Sequence, residues 1–251
     1  MYNSNVNLNG FLFSYAEIKP WNYKCDEYNR CIRLGVHDDA TNDVDQLSLG
    51  KCKLVCDPNS VLWPRPREAR LGRQVTPIEL DSVEFGNKGE LRGTFTADLL
   101  QRNIGEQVRW LEAKKSAKAP ARPAGILLMI KVVLEHDLVE REEPMITKDV
   151  DERYKLSIKY DEGQKVVTAT ISAHDYFGAR HGMESLFQLI EFDEIGQTFV
   201  IMSDVDITDY PEFVHRGVSL DTSRNFVQVD VINRIIDGLA HSKVSLFLLS
   251  L

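Results

Sequence analysis

The sequence predicts an α+β sandwich with two helices on one face of a sheet, a small cysteine-stapled module in front of it and a lone βαβ unit behind it. Three observations predict this. Between Thr76 and Ile207, segments of period two and of helical period follow one another in the order β-α-β-β-β-α-β. All four cysteines, Cys25, Cys31, Cys52 and Cys56, fall near one end of the chain. After Tyr210-Pro211 a strand, a helix and a strand occur once; such a unit cannot cover its own sheet, so it belongs to a larger parallel sheet or barrel. The expected division is 1–70, 71–210 and 211–251.

Residues 1 to about 70 are polar and irregular, with turn formers at Asp38-Asp39, Asp57-Pro58-Asn59 and Pro64-Arg65-Pro66. The regular piece expected there is a hairpin with Cys25 and Cys31 on one arm and Cys52 and Cys56 on the other. That frame favours the nested pairing Cys31 with Cys52 and Cys25 with Cys56, one of three connectivities. Zinc is the alternative, but C-x5-C and C-x3-C are loose for a zinc knuckle, and disulfides are the default. Thr76–Phe85 alternates as a strand. Thr96–Lys115 places Leu99, Leu100, Ile104, Val108 and Leu111 near helical spacing. Beyond the Pro120/Pro123 linker, Gly125–Glu135 reads as a buried strand, and Lys155–Tyr160 pairs with Lys165–Ser172 across Asp161-Glu162-Gly163. Tyr176–Ile190 is the second helix and Thr198–Ile207 the closing strand. Arg216–Asp221, Asp230–His241 and Val244–Leu251 make up the final βαβ unit, with Ile232, Ile235, Ile236 and Leu239 on one helix face.

Of the 251 residues 43% are hydrophobic and 27% charged, enough apolar content to bury real cores. The formal net charge is −8, which argues against partners that demand a basic surface, namely nucleic acid and anionic membrane. The best apolar run, Ile126–Leu134, is split by Lys131 and is too short to span a bilayer. Met1–Glu17 lacks the basic start of a secretory signal, whereas clustered cysteines suggest an oxidising compartment. The expectation that reconciles the two is that Met1 is not the natural start of the gene product.

Nothing here matches G-x-x-x-x-G-K-[ST], G-x-G-x-x-G or H-E-x-x-H, so no cofactor and no metal are expected. His174 and His181 read as hydrogen bonders around a helix start, and H-x-x-E at His181–Glu184 lacks a second histidine. The adjacent carboxylates Asp26-Glu27, Asp151-Glu152, Asp161-Glu162 and Asp193-Glu194 read as solvated loop charge. Asp221-Thr222-Ser223-Arg224 is different, because it follows a strand whose carboxyl end would face an active site in a barrel. Arg224 offers a rigid fork of donors suited to sugar hydroxyls or carboxylates; the alternative is a salt bridge to Asp221 that fixes the loop.

His215-Arg216-Gly217-Val218-Ser219-Leu220-Asp221-Thr222-Ser223-Arg224-Asn225-Phe226, with Ile232, Ile236-Asp237-Gly238-Leu239-Ala240 and Lys243, resembles the start of the catalytic domain of family 20 β-N-acetylhexosaminidases. Phe177-Gly178-Ala179-Arg180-His181-Gly182-Met183-Glu184-Ser185-Leu186-Phe187-Gln188-Leu189 resembles the helix of their preceding α+β domain, and the cysteine module with Leu62-Trp63-Pro64 is similar to the start of the insect enzymes, including the chitin-degrading type. The resemblance implies exo-hydrolysis of terminal N-acetylglucosamine or N-acetylgalactosamine from chitooligosaccharides or glycans. It implies that Arg224 binds the hydroxyls of the terminal sugar, that Asp221 supports it, and that the βαβ unit opens a (β/α)8 barrel. Catalysis in the family is substrate-assisted: the 2-acetamido oxygen attacks the anomeric carbon while an Asp orients the acetamide and the adjacent Glu protonates the leaving oxygen. Those two carboxylates belong to an H-x-G-x-D-E motif that the 251 residues do not contain. Where the family continues with Leu-Asn and then His-Trp-His-Ile-Thr-Asp, this chain reads Val244-Ser245-Leu246-Phe247-Leu248-Leu249-Ser250-Leu251. The expectation is therefore a truncated barrel, no catalytic residue in the chain itself, and no activity of the chain alone. A secreted or lysosomal location is implied for the full-length protein, and a homodimer is the assembly it allows. The alternative is a non-catalytic carbohydrate-associated or partner-binding protein derived from the family.

Overall fold

The computed structural model describes residues 21–35, 46–85, 94–115, 125–135, 143–145, 147 and 149–250. The Met1–Glu17 segment, the Asp38-Asp39 turn, the Pro120/Pro123 linker and Leu251 lie outside them. The elements are β1 (Tyr23–Cys25), β2 (Cys31–Arg33), α1 (Leu49–Cys56), β3 (Glu68–Leu71), β4 (Val75–Phe85), α2 (Phe95–Ala113), β5 (Leu127–Leu134), β6 (Tyr154–Asp161), β7 (Val166–Ala173), α3 (Tyr176–Gln188), β8 (Ile190–Asp193), β9 (Thr198–Met202), β10 (Asp204–Asp209), β11 (Gly217–Asp221), α4 (Val229–His241) and β12 (Leu246–Ser250).

Three of the four described α-helices start where a side chain satisfies free amides; α4, after Gln228, has no side-chain cap. Ser48, Thr94 and Asp175 cap α1, α2 and α3, accepting from Lys51 N, Ala97 N and Phe177 N respectively. Strands β3 to β10 form one eight-stranded mixed sheet in the order β3-β10-β6-β7-β5-β4-β9-β8. β6 and β7 form the expected antiparallel hairpin, from Tyr154 opposite Ala173 to Asp161 opposite Val166. β7 then runs parallel to β5, and β5 parallel to β4, with α2 in the connection between β4 and β5. The core joins Leu128, Ile130 and Val132 of β5 and Val167, Ala169 and Ile171 of β7 to Leu100 and Ile104 of α2 and Ala179, Met183 and Leu186 of α3.

The single closing strand expected over Thr198–Ile207 is two strands. β9 pairs with β4 and β8, whereas β10 pairs with β3 and β6. Only Ser203 separates them, yet they stand five places apart in the sheet. A single residue reaches about 7 Å between flanking Cα atoms, while five steps across a flat sheet are roughly 24 Å. The sheet therefore curls until its two ends meet at Ser203, whose hydroxyl accepts from Thr76 Oγ1 at 2.7 Å and whose amide donates to Gln74 O at 3.0 Å. The edge strands β3 and β8 were also not expected. β8 takes up the end of the helix predicted to run to Ile190.

The cysteine module differs from the expected two-armed hairpin. Cys25 and Cys31 face each other across the short β1/β2 hairpin, and Cys52 and Cys56 lie one turn apart on α1. The disulfides are Cys25–Cys56 and Cys31–Cys52. They are nested, and the helix spacing of four puts both α1 sulfurs on the side facing the hairpin. Leu54 of α1 and Leu62 join the core of the sheet domain, so the module shares that core. In the final unit β11 and β12 pair in parallel from Gly217 opposite Leu246 to Asp221 opposite Ser250.

Two outcomes are expected. A Cβ at Gly178 would fall on the Arg153 carbonyl and lie 3.1 Å from Ala173 Cβ, so Gly178→Ala should cost about 1–3 kcal/mol in chemical denaturation; an unchanged midpoint would mean that α3 can shift on its sheet. Joint replacement of Cys31 and Cys52 by serine should cost about 3 kcal/mol, because the bond spans 21 residues, and non-reducing peptide mapping should recover Cys25 joined to Cys56 in that variant.

Candidate functional site

β11 ends in Asp221, and the chain turns there through an Asx turn. Asp221 Oδ1 accepts from Ser223 N at 3.0 Å and from Ser223 Oγ at 2.6 Å, while Thr222 N and Oγ1 donate to Ser250 O at the end of β12. The Ser223 hydroxyl leads the hydrogen bonds that hold the Asp221 carboxyl below its usual range. Arg224 Nε stands 3.3 Å from Asp221 Oδ2, and its side chain is 86% exposed. The structure thus places Asp221 and Arg224 together at the carboxyl ends of two parallel strands. Arg224 keeps most of its fork free to bind. Among the described residues, the one group of metal-ligating side chains within reach of a common ion is Cys31, Cys52 and Cys56, and all three sulfurs are in disulfides.

A second polar cluster stands at the opposite, amino ends of β11 and β12, and most of it was not expected from the sequence. Arg216, just before β11, clasps Glu152 with both ends of its guanidinium, Nη1 to Oε2 at 2.9 Å and Nη2 to Oε1 at 2.6 Å. His181 Nε2 lies 2.8 Å from the same Oε1. Burial pushes the Glu152 carboxyl up, but His181 and Arg216 together outweigh it and hold it at about 2. As an anion Glu152 can only accept, so His181 donates from Nε2. Glu152 is therefore a half-buried ion-pair partner, a correction to its reading as solvated charge. His181 lies inside α3, a turn beyond the helix start where it was expected.

Lys243, just before β12, is 6% exposed. Its ammonium donates to Tyr154 Oη at 2.9 Å, Ser185 Oγ at 3.0 Å and Asp209 Oδ2 at 3.1 Å, one acceptor for each of its three protons. Burial lowers the Lys243 pKa and Asp209 counters it. Burial likewise raises the Tyr154 hydroxyl well above its usual range, which keeps it neutral. A third contact joins His241 Nδ1 of α4 to Glu184 Oε2 of α3 at 2.8 Å; the same carboxylate takes Gln107 Nε2 at 2.9 Å and Arg180 Nη2 at 3.3 Å. One signal for this cluster was present in the sequence: Glu184 stands between Met183 and Ser185-Leu186-Phe187 on a helix. The structure adds that Lys243 holds a φ of +56° just past the end of α4, where glycine or asparagine is usual.

Two of the four carboxylate pairs departed from the solvated reading. The other is Asp193, which is buried and accepts from Ile195 N at 3.1 Å in the turn after β8.

Comparison with known proteins places both halves of this arrangement. The family model described as beta-acetyl hexosaminidase like matches residues 62–189, and that of the glycosyl hydrolase family 20 catalytic domain matches residues 213–251. The chitooligosaccharidolytic β-N-acetylglucosaminidase of Bombyx mori is 33% identical over 229 residues, 90% of this chain and 36% of the relative. That of Ostrinia furnacalis is 34% identical over 236 residues, 92% of this chain and 37% of the relative. The chain thus spans little more than a third of the length of these relatives. Among solved structures, the chitobiase of Flavobacterium johnsoniae superposes with a TM-score of 0.52 at 25% identity, over 75% of this chain and 26% of the other. A Vibrio harveyi exo-β-N-acetylglucosaminidase gives 0.52 at 21% identity over 75% of this chain and 25% of the other, a likeness of fold. With more than half of its residues matched by these domain models, and the βαβ unit matched as the opening of the catalytic domain, the chain belongs to the family 20 β-hexosaminidases.

Proposed function

We propose that these residues serve an exo-acting β-N-acetylhexosaminidase that removes terminal N-acetylglucosamine or N-acetylgalactosamine from chitooligosaccharides or glycans, and that the 251-residue polypeptide alone does not hydrolyse them. The observation that carries this reading is Arg224, an exposed guanidinium at the carboxyl end of the first strand of a unit matched to the family 20 catalytic domain. Its fork suits vicinal sugar hydroxyls, and its neighbour Asp221 holds it from one side only. The Bombyx mori and Ostrinia furnacalis relatives, which act on chitooligosaccharides by name, support the substrate class. In the proposed division, residues 1–70 and 71–210 carry the structural module and the α+β domain, and 211–251 carry the sugar-facing strand ends.

Binding is not hydrolysis. The 251 residues contain no H-x-G-x-D-E stretch, and β12 carries Leu246, Phe247, Leu248 and Leu249. Arg224 supplies neither a proton for the leaving oxygen nor a carboxylate for the charge that develops beside the acetamide. General acid catalysis contributes about 10²–10⁴ in rate, and preorganised electrostatic stabilisation a comparable factor. The two disulfides fit an oxidising secretory compartment, which supports a secreted or lysosomal location. None of the described helices is long and apolar enough to cross a membrane.

A chromogenic N-acetylglucosaminide tests the proposal. Neither the 251-residue chain nor its Arg224→Ala variant should release chromophore above background. Turnover in the first that is lost in the second would overturn the inactive reading and require an acid elsewhere in the chain.

A further inference from the structure

We infer that the β11-α4-β12 unit is fastened to the α+β domain by a latch with two histidines of opposite sense, so that its grip is greatest in weakly acidic solution and loosens on either side. The geometry comes first. All the fastenings described above cross from the last unit to the domain: Arg216 to Glu152, Lys243 to Tyr154, Ser185 and Asp209, and His241 to Glu184. Two histidines stand among them, and their surroundings are opposite.

His241 projects from α4 toward a carboxylate that is only 2% exposed. Glu184 and Arg180 face it from α3, Trp110 of α2 meets its ring edge-on at 5.9 Å between centroids, and of the charged residues on its own helix, Asp230, Arg234 and Asp237, it is Asp237 that acts on it. The bond to Glu184 favours the protonated ring and raises the His241 pKa against partial burial. Undocking would return His241 to water and leave Glu184 with Arg180 and Gln107. A raised pKa stabilises the docked state fully below the free value of about 6.5, and that contribution is lost as pH rises through the higher docked value.

His181 is the reverse. Burial pushes its pKa down more than Glu152 pulls it up, and Lys243 and Arg180 oppose its charge. Its Nε2 donates to Glu152, which Arg216 also holds, and its buried Nδ1 has no hydrogen-bond partner among the described residues. A proton added at Nδ1 would thus be a buried donor without an acceptor. The docked state keeps this ring neutral while an undocked one takes up a proton, so docking weakens as pH falls below about 6.5. Glu152, held at about 2, stays ionised throughout.

Hydrogen exchange read by mass spectrometry on the full chain, corrected for intrinsic rates between about pH 5 and 8, tests the latch. Protection of the β11 and β12 amides should peak near pH 6.5 and fall at least about threefold toward both ends, while protection of β5 to β7 changes little. His241→Gln should flatten the alkaline limb alone and His181→Gln the acid limb alone. NMR titration of the wild-type rings, which needs no variant, should give a midpoint above about 6.5 for His241 and below it for His181. A flat wild-type profile, limbs that survive their own variant, β5 to β7 protection that follows the same curve, or midpoints in the opposite order would each overturn the proposal.

Discussion

Everything in this chain hangs on the connection at Ser203. Because β9 and β10 are joined by one residue and lie at distant places in one sheet, the sheet cannot be flat. Its curl brings β10 against β6, which sets Asp209 opposite Tyr154 at the end of both strands. Those two side chains, with Ser185 from α3 above them, make the acceptor set that takes up Lys243. A local constraint in the sheet thereby decides where the first two strands of the next unit begin.

The reading of periodicity reached what periodicity reports. α2 and α3, the β6/β7 hairpin and β5 lie within a few residues of their expected bounds, since each is set by its own spacing of apolar side chains and its own capping residue. The division of Thr198–Ile207 was not legible, because the apolar run Phe199–Met202 leads into the alternation after Ser203 with no turn former between them, and pairing partners are a property of distant chain. The cysteine frame failed for a related reason. Ser48 and the i, i+4 spacing of Cys52 and Cys56 suit a helix as well as an arm of a hairpin, and turn formers on both sides drew the reading toward strands.

Among charged residues, adjacency in sequence was a poor guide to environment. Asp161 and Glu152 each sit in an acidic pair, yet Asp161 caps a tight turn by accepting from Gln164 N while Glu152 is folded under Arg216. The difference lies in a partner 64 residues away, which no local pattern shows. The contact between Arg224 and Asp221 was legible because only two residues separate them on a turn that follows a strand.

Arg216 and Arg224 flank the same five-residue strand and show how one side-chain type serves two purposes. Arg216 has its guanidinium spent on Glu152 and on the carbonyls of Phe213 and Lys243, so its desolvation is repaid within the fold. Its removal would leave Glu152 with His181, since Arg216 supplies two of the three hydrogen bonds described for that carboxylate. Arg224 is paired on one edge and hydrated on the rest, so it costs the fold little and keeps donors for something that arrives later. A strand held rigidly at its amino end by buried charge can present an unsatisfied charge at its carboxyl end in a defined direction. That separation of anchoring from presentation is the physical reason for a polar cluster on the far side of the strand from Asp221 and Arg224, where the α+β domain can grip it.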